Sequence, residues 1–515
     1  MISFPWFLEG GVAARVVARE RFGLTLSALT LAGDWASFFI MNKWLCLLAC
    51  EFLFLSLLKG ADWPQWRGPD RSGVSTEMGL LKSWPTGGPK LLWEGGAVGE
   101  GFSSLAIVNG RIFTMGDKNG QSHLFCLDQK GGALLWSLKV GKSGGNYSGT
   151  RCTPTVDGDL VFALGQFGDL VCANVATGRE RWSKNLASDF GGKSGGWNYS
   201  ESVLVDGSNL ICSPGGSQAT ALALNKRTGS TVWKTALPGG GESHYSSWVV
   251  SNGAGVKQYV RLFSGGTFGV AAANGKFLWR YDKLGKNTAN IPTPIPFGDY
   301  VFTAAGYGKG GALLKLSRRS AGVVAEEVYF SRELKNKHGG IVKVGNYLYG
   351  DFDDRGSPWC ADVRTGQVKW RRDRGGQGNG SACVTYADGR LYFRYQDGIM
   401  ALVDASPLGG FRQVGSFKIP DGMKKSWAHP VISDGLLYLR GLNKILCYDV
   451  RDPGRAVVPA PVNRLWTDST GRFKVEARLK GVNQGKAILE KSDGSVFEIS
   501  LDRLSSSDRS YLRSL

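Results

Sequence analysis

Side chains able to support metal or acid–base chemistry are sparse in this chain of 515 residues. Its four histidines, His123, His244, His338 and His429, are far apart and lack the close spacing of zinc ligands. A Cys-x-x-Cys-His motif, which attaches haem, is also missing. Four acidic or aromatic residues in a row, Asp351–Asp354, are typical of a solvated turn. The sequence therefore predicts no metal site and no haem.

An internal repeat predicts the elements that position these side chains. Asp or Asn, three residues, Gly, three residues and Trp recur in four complete copies, and a fifth copy keeps only Gly and Trp. The first part of this pattern indicates a turn between two strands, and the tryptophan offers a large face to pack between neighbouring sheets. The repeat tryptophans are Trp136, Trp182, Trp233, Trp279 and Trp370.

The period of the repeat indicates a propeller. Successive tryptophans are 46, 51, 46 and 91 residues apart, so a degenerate copy is expected within residues 313–330. A second turn upstream of each copy joins two further strands, and four strands per ~45 residues are typical of a blade. We predict an all-β fold with eight blades, with seven as the alternative. Residues 90–94 are expected to supply the missing outer strand of the last blade.

The copies resemble the tryptophan-docking repeat of the pyrroloquinoline quinone (PQQ)-like β-propellers. That family includes quinoprotein alcohol dehydrogenases and outer-membrane assembly lipoproteins. The resemblance covers about residues 90–450, and the lead-in sequence DWPQWRGP at 62–69 is similar to the start of many exported members. It implies a propeller that is either a PQQ-dependent enzyme or a scaffold without catalytic activity.

Residues needed by the dehydrogenases are mostly missing. The resemblance implies that such an enzyme would hold Ca²⁺ with oxygen ligands, use an Asp as base and carry two adjacent cysteines over the quinone. No two cysteines are adjacent here, and acidic residues at blade starts are few, Glu201 near Asn198 among them. We therefore predict no catalytic residue and no cofactor. PQQ and Ca²⁺ belong only to the alternative, a dehydrogenase of alcohols or sugars.

The starts of the blades face the central funnel in this family, so polar and aromatic residues there are candidates for ligand recognition. The ligand would be a peptide, a glycan or a small molecule. The alternative is a purely structural role, in which these side chains pack and form hydrogen bonds at the mouth of the propeller. The candidates are Tyr147, Trp197, Asn198, Tyr199, Glu201, His244, Tyr245, His338, Trp427 and His429.

A second module follows the ring. Residues 451–462 are rich in proline and predict a linker to residues 463–515, where Phe473, Val475 and Ala477 alternate with charged residues as in a half-buried strand. The tail resembles the SLA homology domain (SHD family), an SH3-like fold, which implies a peptide-binding module; a structural cap is the alternative. The motifs that carry this resemblance are RxWTD at 464–468, GxFxVxA at 471–477, GKxxL at 485–489 and LxxLS at 501–505.

The amino-terminal residues 1–61 predict a leader with a secretory signal. Met41 and Lys43 precede an apolar run that ends at Leu58 and is short for a membrane span. We expect translation to start at Met41, with cleavage near residue 60 and a lead-in segment at 62–89. The run continues past a lipobox-like Cys50, so a lipid anchor is not expected.

Composition and net charge exclude some classes of protein and some kinds of partner. The 74 glycines and 17 tryptophans exclude a coiled coil and a disordered chain. The net charge is +19, but no run of five basic residues exists, so a nucleic-acid partner is not expected. We expect an exported protein of the periplasm or cell envelope that binds protein or peptide partners through the propeller mouth and the tail. Peripheral association with the envelope stays open.

Overall fold

The computed structural model describes residues 62–513 except positions 97, 148, 321, 373–377, 421–425, 456–457, 460–463, 484 and 492–494. The predicted leader lies outside these residues. The described residues belong to one compact unit, Leu58–Leu515. They form strands almost throughout, which confirms the all-β prediction, and none of their helices has the length and apolar character needed to cross a membrane.

Eight four-stranded antiparallel sheets occupy the described residues between 90 and 449, and the first seven are meanders. We number them in chain order and give the strands of each from the first outward. Sheet 1 contains Ala106–Val108, Arg111–Lys118, Gln121–Asp128 and Leu134–Lys142. Sheet 2 contains Thr155–Asp157, Leu160–Leu164, Asp169–Asn174 and Glu180–Asn185. Sheet 3 contains Leu204–Asp206, Asn209–Cys212, Ala221–Asn225 and Thr231–Thr235. Sheet 4 contains Val249–Ser251, Gln258–Phe263, Gly266–Ala271 and Phe277–Tyr281.

The remaining sheets follow the same plan, and the last one takes its outer strand from the beginning of the chain. Sheet 5 contains Ile295–Phe297, Tyr300–Ala305, Gly310–Arg319 and Gly322–Ser331. Sheet 6 contains Val342–Val344, Tyr347–Asp351, Pro358–Asp362 and Val368–Arg371. Sheet 7 contains Ala382–Ala387, Arg390–Tyr395, Ile399–Asp404 and Gln413–Lys418. Sheet 8 contains Val431–Ser433, Leu436–Arg440, Ile445–Asp449 and Lys90–Gly95.

Shared hydrophobic clusters close the sheets into a ring. Each sheet packs on the next, and sheet 8 returns to sheet 1, where Val431 and Tyr438 pack with Ile107 and Phe125. First strands of neighbouring sheets contact one another, so they line the axis. The pairing of Lys90–Gly95 with the strand before Val450 confirms that both ends of the repeat region complete one sheet.

Contacts between the tryptophan side chains of one sheet and the turn glycines of the next explain the repeat pattern. Trp182 lies on Gly229 of the next sheet, and its Nε1 donates to the Lys226 carbonyl at 3.0 Å. Gly229 has φ +70°, and a Cβ there would lie 2.8 Å from the indole, so glycine is needed on both counts. In the degenerate copy Tyr329 replaces Trp and donates to the Val363 carbonyl at 3.0 Å. The same stacking joins Trp136 to Gly178, Trp233 to Gly275 and Trp93 to Gly132.

The tail is a four-stranded antiparallel sheet over a small core that includes Trp466, Ala477 and Leu504. Phe473, expected to face the core, precedes its strand and is 77% exposed. The strands of the tail are Arg464–Thr467, Lys474–Asn483, Lys486–Lys491 and Val496–Ser500, followed by the 3-10 turn Leu501–Arg503 and the α-helix Ser506–Arg513. Further short elements are the strand pair Glu77–Met78 and Val458–Pro459 and the 3-10 turns Gly253–Gly255 and Arg332–Leu334.

Candidate functional site

A cavity of about 320 Å³ lies among the segments that precede the first strands of the ring. Aromatic rings form much of its wall, and aliphatic side chains contribute little. The rings are those of Trp66, Phe102, Tyr147, Trp197, Tyr245, Tyr307 and Trp427. The structure thus has a cavity with an aromatic wall at the end of the ring where the sequence predicts a funnel.

The ten predicted funnel residues divide into two groups. The first group lines the cavity: Tyr147, Trp197, Tyr245, His338, Trp427 and His429. The second group, which does not line it, is Asn198, Tyr199, Glu201 and His244.

Alternation along the chain explains part of this division. Ser200 and Ser202 line the cavity, whereas Tyr199 before them and Glu201 between them are buried away from it. Successive side chains of an extended segment point in opposite directions, so a segment that reaches the axis presents only every second residue to it. The hydroxyl of Tyr199 donates to the Pro214 carbonyl at 2.7 Å instead.

Glu201 belongs to a buried ion pair. Its Oε2 lies 2.9 Å from Nη1 of Arg261, both side chains are inaccessible to solvent, and its Oε1 accepts from the Ser213 main-chain N–H. Burial raises the pKa of Glu201, while the Arg261 charge opposes that shift. The pair fastens the entry of sheet 3 to the second strand of sheet 4. Its carboxylate is therefore committed to the protein.

His244 stacks on a cavity residue without reaching the cavity. Its ring lies 5.3 Å from that of Tyr245, and its Nδ1 accepts from the Asn290 main-chain N–H at 3.2 Å. Burial and then the nearby Arg261 charge lower the pKa of His244 to about 4. The imidazole is neutral and supports Tyr245.

The two histidines of the wall are also neutral. Burial lowers the pKa of His338 to about 3 and that of His429 well below its usual value. His338 stacks on Trp427 with ring centres 4.8 Å apart, and His429 meets Trp66 edge-on at 4.4 Å. At neutral pH both imidazoles are therefore uncharged parts of an aromatic wall.

A series of hydroxyls before the first strands of sheets 1 to 5 was missed by the sequence analysis. The main-chain N–H of Ser104 donates to Thr153 Oγ1 at 3.2 Å, and that of Thr153 donates to Ser202 Oγ at 2.9 Å. The series continues from Ser202 to Ser247 at 3.0 Å and from Ser247 to Thr293 at 3.3 Å. A Ser or Thr every 45 to 49 residues, two positions before the first strands of sheets 1 to 5, was the signal available in the sequence.

The lead-in segment was also missed as part of the site. Trp66 lines the cavity and donates to Thr293 Oγ1 at 3.4 Å. Arg67 donates to the Gly339 carbonyl at 2.7 Å, and Arg71 donates to the Ser202 carbonyl at 2.8 Å. Burial lowers the pKa of Arg67 to about 10 and that of Arg71 to about 9. Segment 62–77 contacts each of the eight sheets at or beside its first strand.

The acidic run at 351–354 differs from the solvated turn expected. Asp351 is fully buried, and burial raises its pKa to about 8. Asp354 is the carboxylate among the residues that line the cavity, and it forms an ion pair with Lys337 at 2.7 Å. Burial opposes ionisation of Asp354, but hydrogen bonds from Lys337 and Ser381 hold its pKa below the usual value.

The donors present do not fit the calcium–quinone site of a dehydrogenase. Ca²⁺ needs about six to eight converging oxygen ligands. Glu201 is bound to Arg261, Asn198 lies off the cavity, and Asp354 is paired with Lys337. Within the described part of the chain, no three His, Cys, Asp or Glu side chains form a group that could hold a metal ion.

The ring of four-stranded sheets, the docked tryptophans and the axial cavity define a β-propeller of the PQQ-like type. The family model described as outer membrane protein assembly factor BamB matches residues 70–196 and 120–372, and the chain belongs to this family. A second model, SLA1 homology domain 1, matches residues 458–515. The resemblances stated from the sequence are thus confirmed.

Two curated relatives match different parts of the chain. The outer membrane protein assembly factor BamB of Salmonella typhimurium strain LT2 is 25% identical over 388 residues, which are 71% of this chain and 88% of that protein. The actin cytoskeleton-regulatory complex protein SLA1 of Mycosarcoma maydis is 44% identical over 66 residues. That match covers 13% of this chain and only 6% of SLA1, so it concerns the tail alone.

Solved structures share the fold at low sequence identity. BamB from Moraxella catarrhalis has a TM-score of 0.52 at 14% identity and covers 70% of this chain and 99% of its own. The quinohemoprotein alcohol dehydrogenase of Comamonas testosteroni has a TM-score of 0.55 at 12% identity, over 81% and 84% of the two chains. The assembly factor and the dehydrogenase are therefore about equally similar to this chain in fold, so the fold does not separate the two functions.

Proposed function

We propose that this chain is an exported, non-catalytic propeller scaffold of the cell envelope that binds a ligand or a protein at its axial cavity. The commitment of the Glu201 carboxylate to Arg261 carries this proposal, because the acidic residue best placed by sequence for calcium is already neutralised inside the protein. Family membership agrees, since the matching model describes an assembly factor.

The envelope location rests on two supports. The curated propeller relatives are named outer membrane protein assembly factors, and the predicted secretory signal at residues 41–61 would deliver this chain to the same compartment. A peripheral position, without a lipid anchor, is the arrangement that we propose.

The tail is proposed as a second protein-binding module. It matches the SLA1 homology domain over nearly its whole length, and Leu465, Phe473 and Val496 are exposed apolar side chains on it. Exposed apolar residues on a small polar domain favour contact with a peptide or protein.

A PQQ-dependent dehydrogenase acting on alcohols or sugars is the alternative. The shared fold of the alcohol dehydrogenases favours it, but that likeness concerns the fold alone. The pairing of Glu201 with Arg261 and of Asp354 with Lys337, and the position of Asn198 off the cavity, argue against it.

An oxidation assay tests the proposal. The full chain is incubated with PQQ and Ca²⁺, and reduction of an artificial dye is followed with primary alcohols and aldoses, beside a quinoprotein alcohol dehydrogenase reconstituted in the same way. We expect no turnover above the protein-free control. Dye reduction that requires both PQQ and Ca²⁺ would overturn the proposal.

A further inference from the structure

Within the described part of the chain, each charged side chain that lines the cavity has partners in the protein itself. Lys337 and Asp354 neutralise each other at 2.7 Å. Arg151 donates to the carbonyls of Asn146 and Tyr147, each at 2.9 Å. The carbonyls occupy Nη2 of Arg151 without cancelling its charge, and the imidazoles of the wall are neutral. The described lining thus carries one unbalanced charge, that of Arg151, and its remaining polar groups are neutral.

Neutral hydrogen-bonding groups remain at the wall. The Ser202 and Ser247 hydroxyl oxygens each accept a main-chain N–H, at 2.9 and 3.0 Å. In the described residues neither hydroxyl donates to a protein acceptor, so both hydroxyl hydrogens can serve a ligand. Gln396 Oε1 accepts from Trp427 Nε1 at 2.9 Å, which leaves the amide nitrogen of Gln396 as a further donor.

Aromatic faces flank these donors. Trp197 meets Tyr245 edge-on with ring centres 5.7 Å apart, and Tyr147 meets Trp427 in the same way at 5.5 Å. The face of an aromatic ring carries negative charge density, which attracts weakly positive C–H groups. A saturated ring that carries hydroxyls has C–H groups on its faces, which can stack on the aromatic side chains, and hydroxyl oxygens at its edge, which can accept hydrogen bonds from the polar donors of the wall.

We infer that the cavity binds a neutral saccharide, one or two pyranose rings in size, stacked on Trp197 or Trp427 and hydrogen-bonded to Ser202, Ser247 and Gln396. This inference rests on the proposed binding function and specifies its ligand. The cavity volume of about 320 Å³ is at the lower end of the roughly 300–1,000 Å³ of small-molecule sites. A longer polymer would have to enter by its end.

Calorimetry and tryptophan fluorescence of the full chain test this inference. The probes are cellobiose, maltose, N,N′-diacetylchitobiose and lactose, with sodium benzoate and adenosine as ring compounds that are not saccharides. We expect at least one disaccharide to bind with one-to-one stoichiometry and to shift the fluorescence, and both ring compounds to bind at least tenfold more weakly.

Variants locate the binding. Trp197→Ala should weaken the disaccharide at least tenfold, because it removes a stacking face. Trp93→Ala, which removes a half-buried tryptophan from the outer strand of sheet 8, should leave the affinity unchanged. If Trp197→Ala does not fold, Tyr147→Ala replaces it, since Tyr147 is 44% exposed in the cavity wall.

Each contrary outcome has a distinct meaning. Failure of all four disaccharides to bind, or unchanged affinity in the folded cavity variant, overturns the saccharide. Tighter binding of benzoate or adenosine also overturns it but leaves the scaffold in place. Turnover with PQQ and Ca²⁺ in the oxidation assay would instead overturn the scaffold itself.

Discussion

Glu201 and Arg261 form an ion pair that solvent does not reach. Taking two charges out of water is costly, and only good geometry with further hydrogen bonds offsets that cost. Arg261 also donates to the Ser246 and His244 carbonyls, at 2.9 and 2.7 Å. The pair is thus part of the packing between sheets 3 and 4, and a role for Glu201 as a metal ligand would require breaking it.

Replacement of Glu201 tests this structural role. Glu201→Gln leaves the Arg261 charge buried without its partner, so we expect the free energy of unfolding to fall by about 3 kcal/mol. Glu242→Gln is the control, because its side chain is 53% exposed, and it should change stability by less than about 0.5 kcal/mol. Urea unfolding measures both. Unchanged stability of Glu201→Gln, combined with lost PQQ binding, would contradict this role.

Asp351 predicts a pH dependence of stability. Its pKa is raised from 3.8 to about 8 in the folded chain by burial, so over that window the folded state holds a proton that the unfolded state has lost. The free energy of unfolding is therefore highest, as far as Asp351 is concerned, below pH 3.8. It falls as the pH rises from 3.8 towards 8, by up to about 1.4 kcal/mol per pH unit.

The variant Asp351→Asn removes this titration. Its urea midpoint should decline less than that of the original chain between pH 5 and pH 8, while Glu326→Gln, a change at an exposed ion pair, should keep the original slope. Parallel profiles for Asp351→Asn and the original chain would show that Asp351 is ionised when folded.

Which side chains face the cavity could be predicted only in part. The sequence places blade starts at the axis, and six of the ten predicted residues line the cavity. It could not fix which residues turn inward: at 197–200 the aromatic Trp197 and Tyr199 alternate with polar residues, yet Trp197 and Ser200 are the ones that line the cavity. Tyr199 was chosen for its ring, yet its small neighbour Ser200 reaches the cavity.

At the scale of the elements, the glycine of each repeat turn has two roles that a substitution can separate. Gly229 has φ +70°, and a Cβ there would meet the Trp182 ring at 2.8 Å. Gly207 has φ +61° and open space around it. Alanine at either position therefore meets the same backbone restriction, but only alanine at 229 displaces a tryptophan.

We expect Gly207→Ala to cost about 1 kcal/mol of stability through its backbone alone. Gly229→Ala should cost at least about 1 kcal/mol more, because the indole must shift within a close-packed interface. Thermal and urea unfolding compare the two variants. Equal losses would show that packing of Trp182 on the turn adds nothing to backbone strain.

The repeat itself was predictable because each copy is local. Asp or Asn, Gly and Trp lie within nine residues, so turn chemistry and spacing are visible without knowledge of the fold. The degenerate copy was placed by period alone, and Tyr329 takes the position of its tryptophan. In the tail, local alternation likewise indicated a strand at 473–480, and the observed strand is Lys474–Asn483, which leaves Phe473 outside it.

At the scale of the whole molecule, the lead-in segment ties the ring together. Arg67 and Arg71 bind main-chain carbonyls more than 130 residues away in sequence. Carbonyl oxygens exist at every position, so no sequence pattern marks them as partners, and the position of this segment could not be predicted. Its Trp66 ring completes the cavity wall, so the cavity is built from both the repeats and the segment before them.

The central claim is that this propeller holds a ligand cavity without a quinone site. Calorimetric titration of PQQ into the full chain, with and without excess Ca²⁺, tests it most directly. We predict no calcium-dependent heat of binding, because the carboxylates near the cavity are paired with Arg261 and Lys337. Saturable, one-to-one binding of PQQ that requires Ca²⁺ would contradict this account and would identify the chain as a quinoprotein.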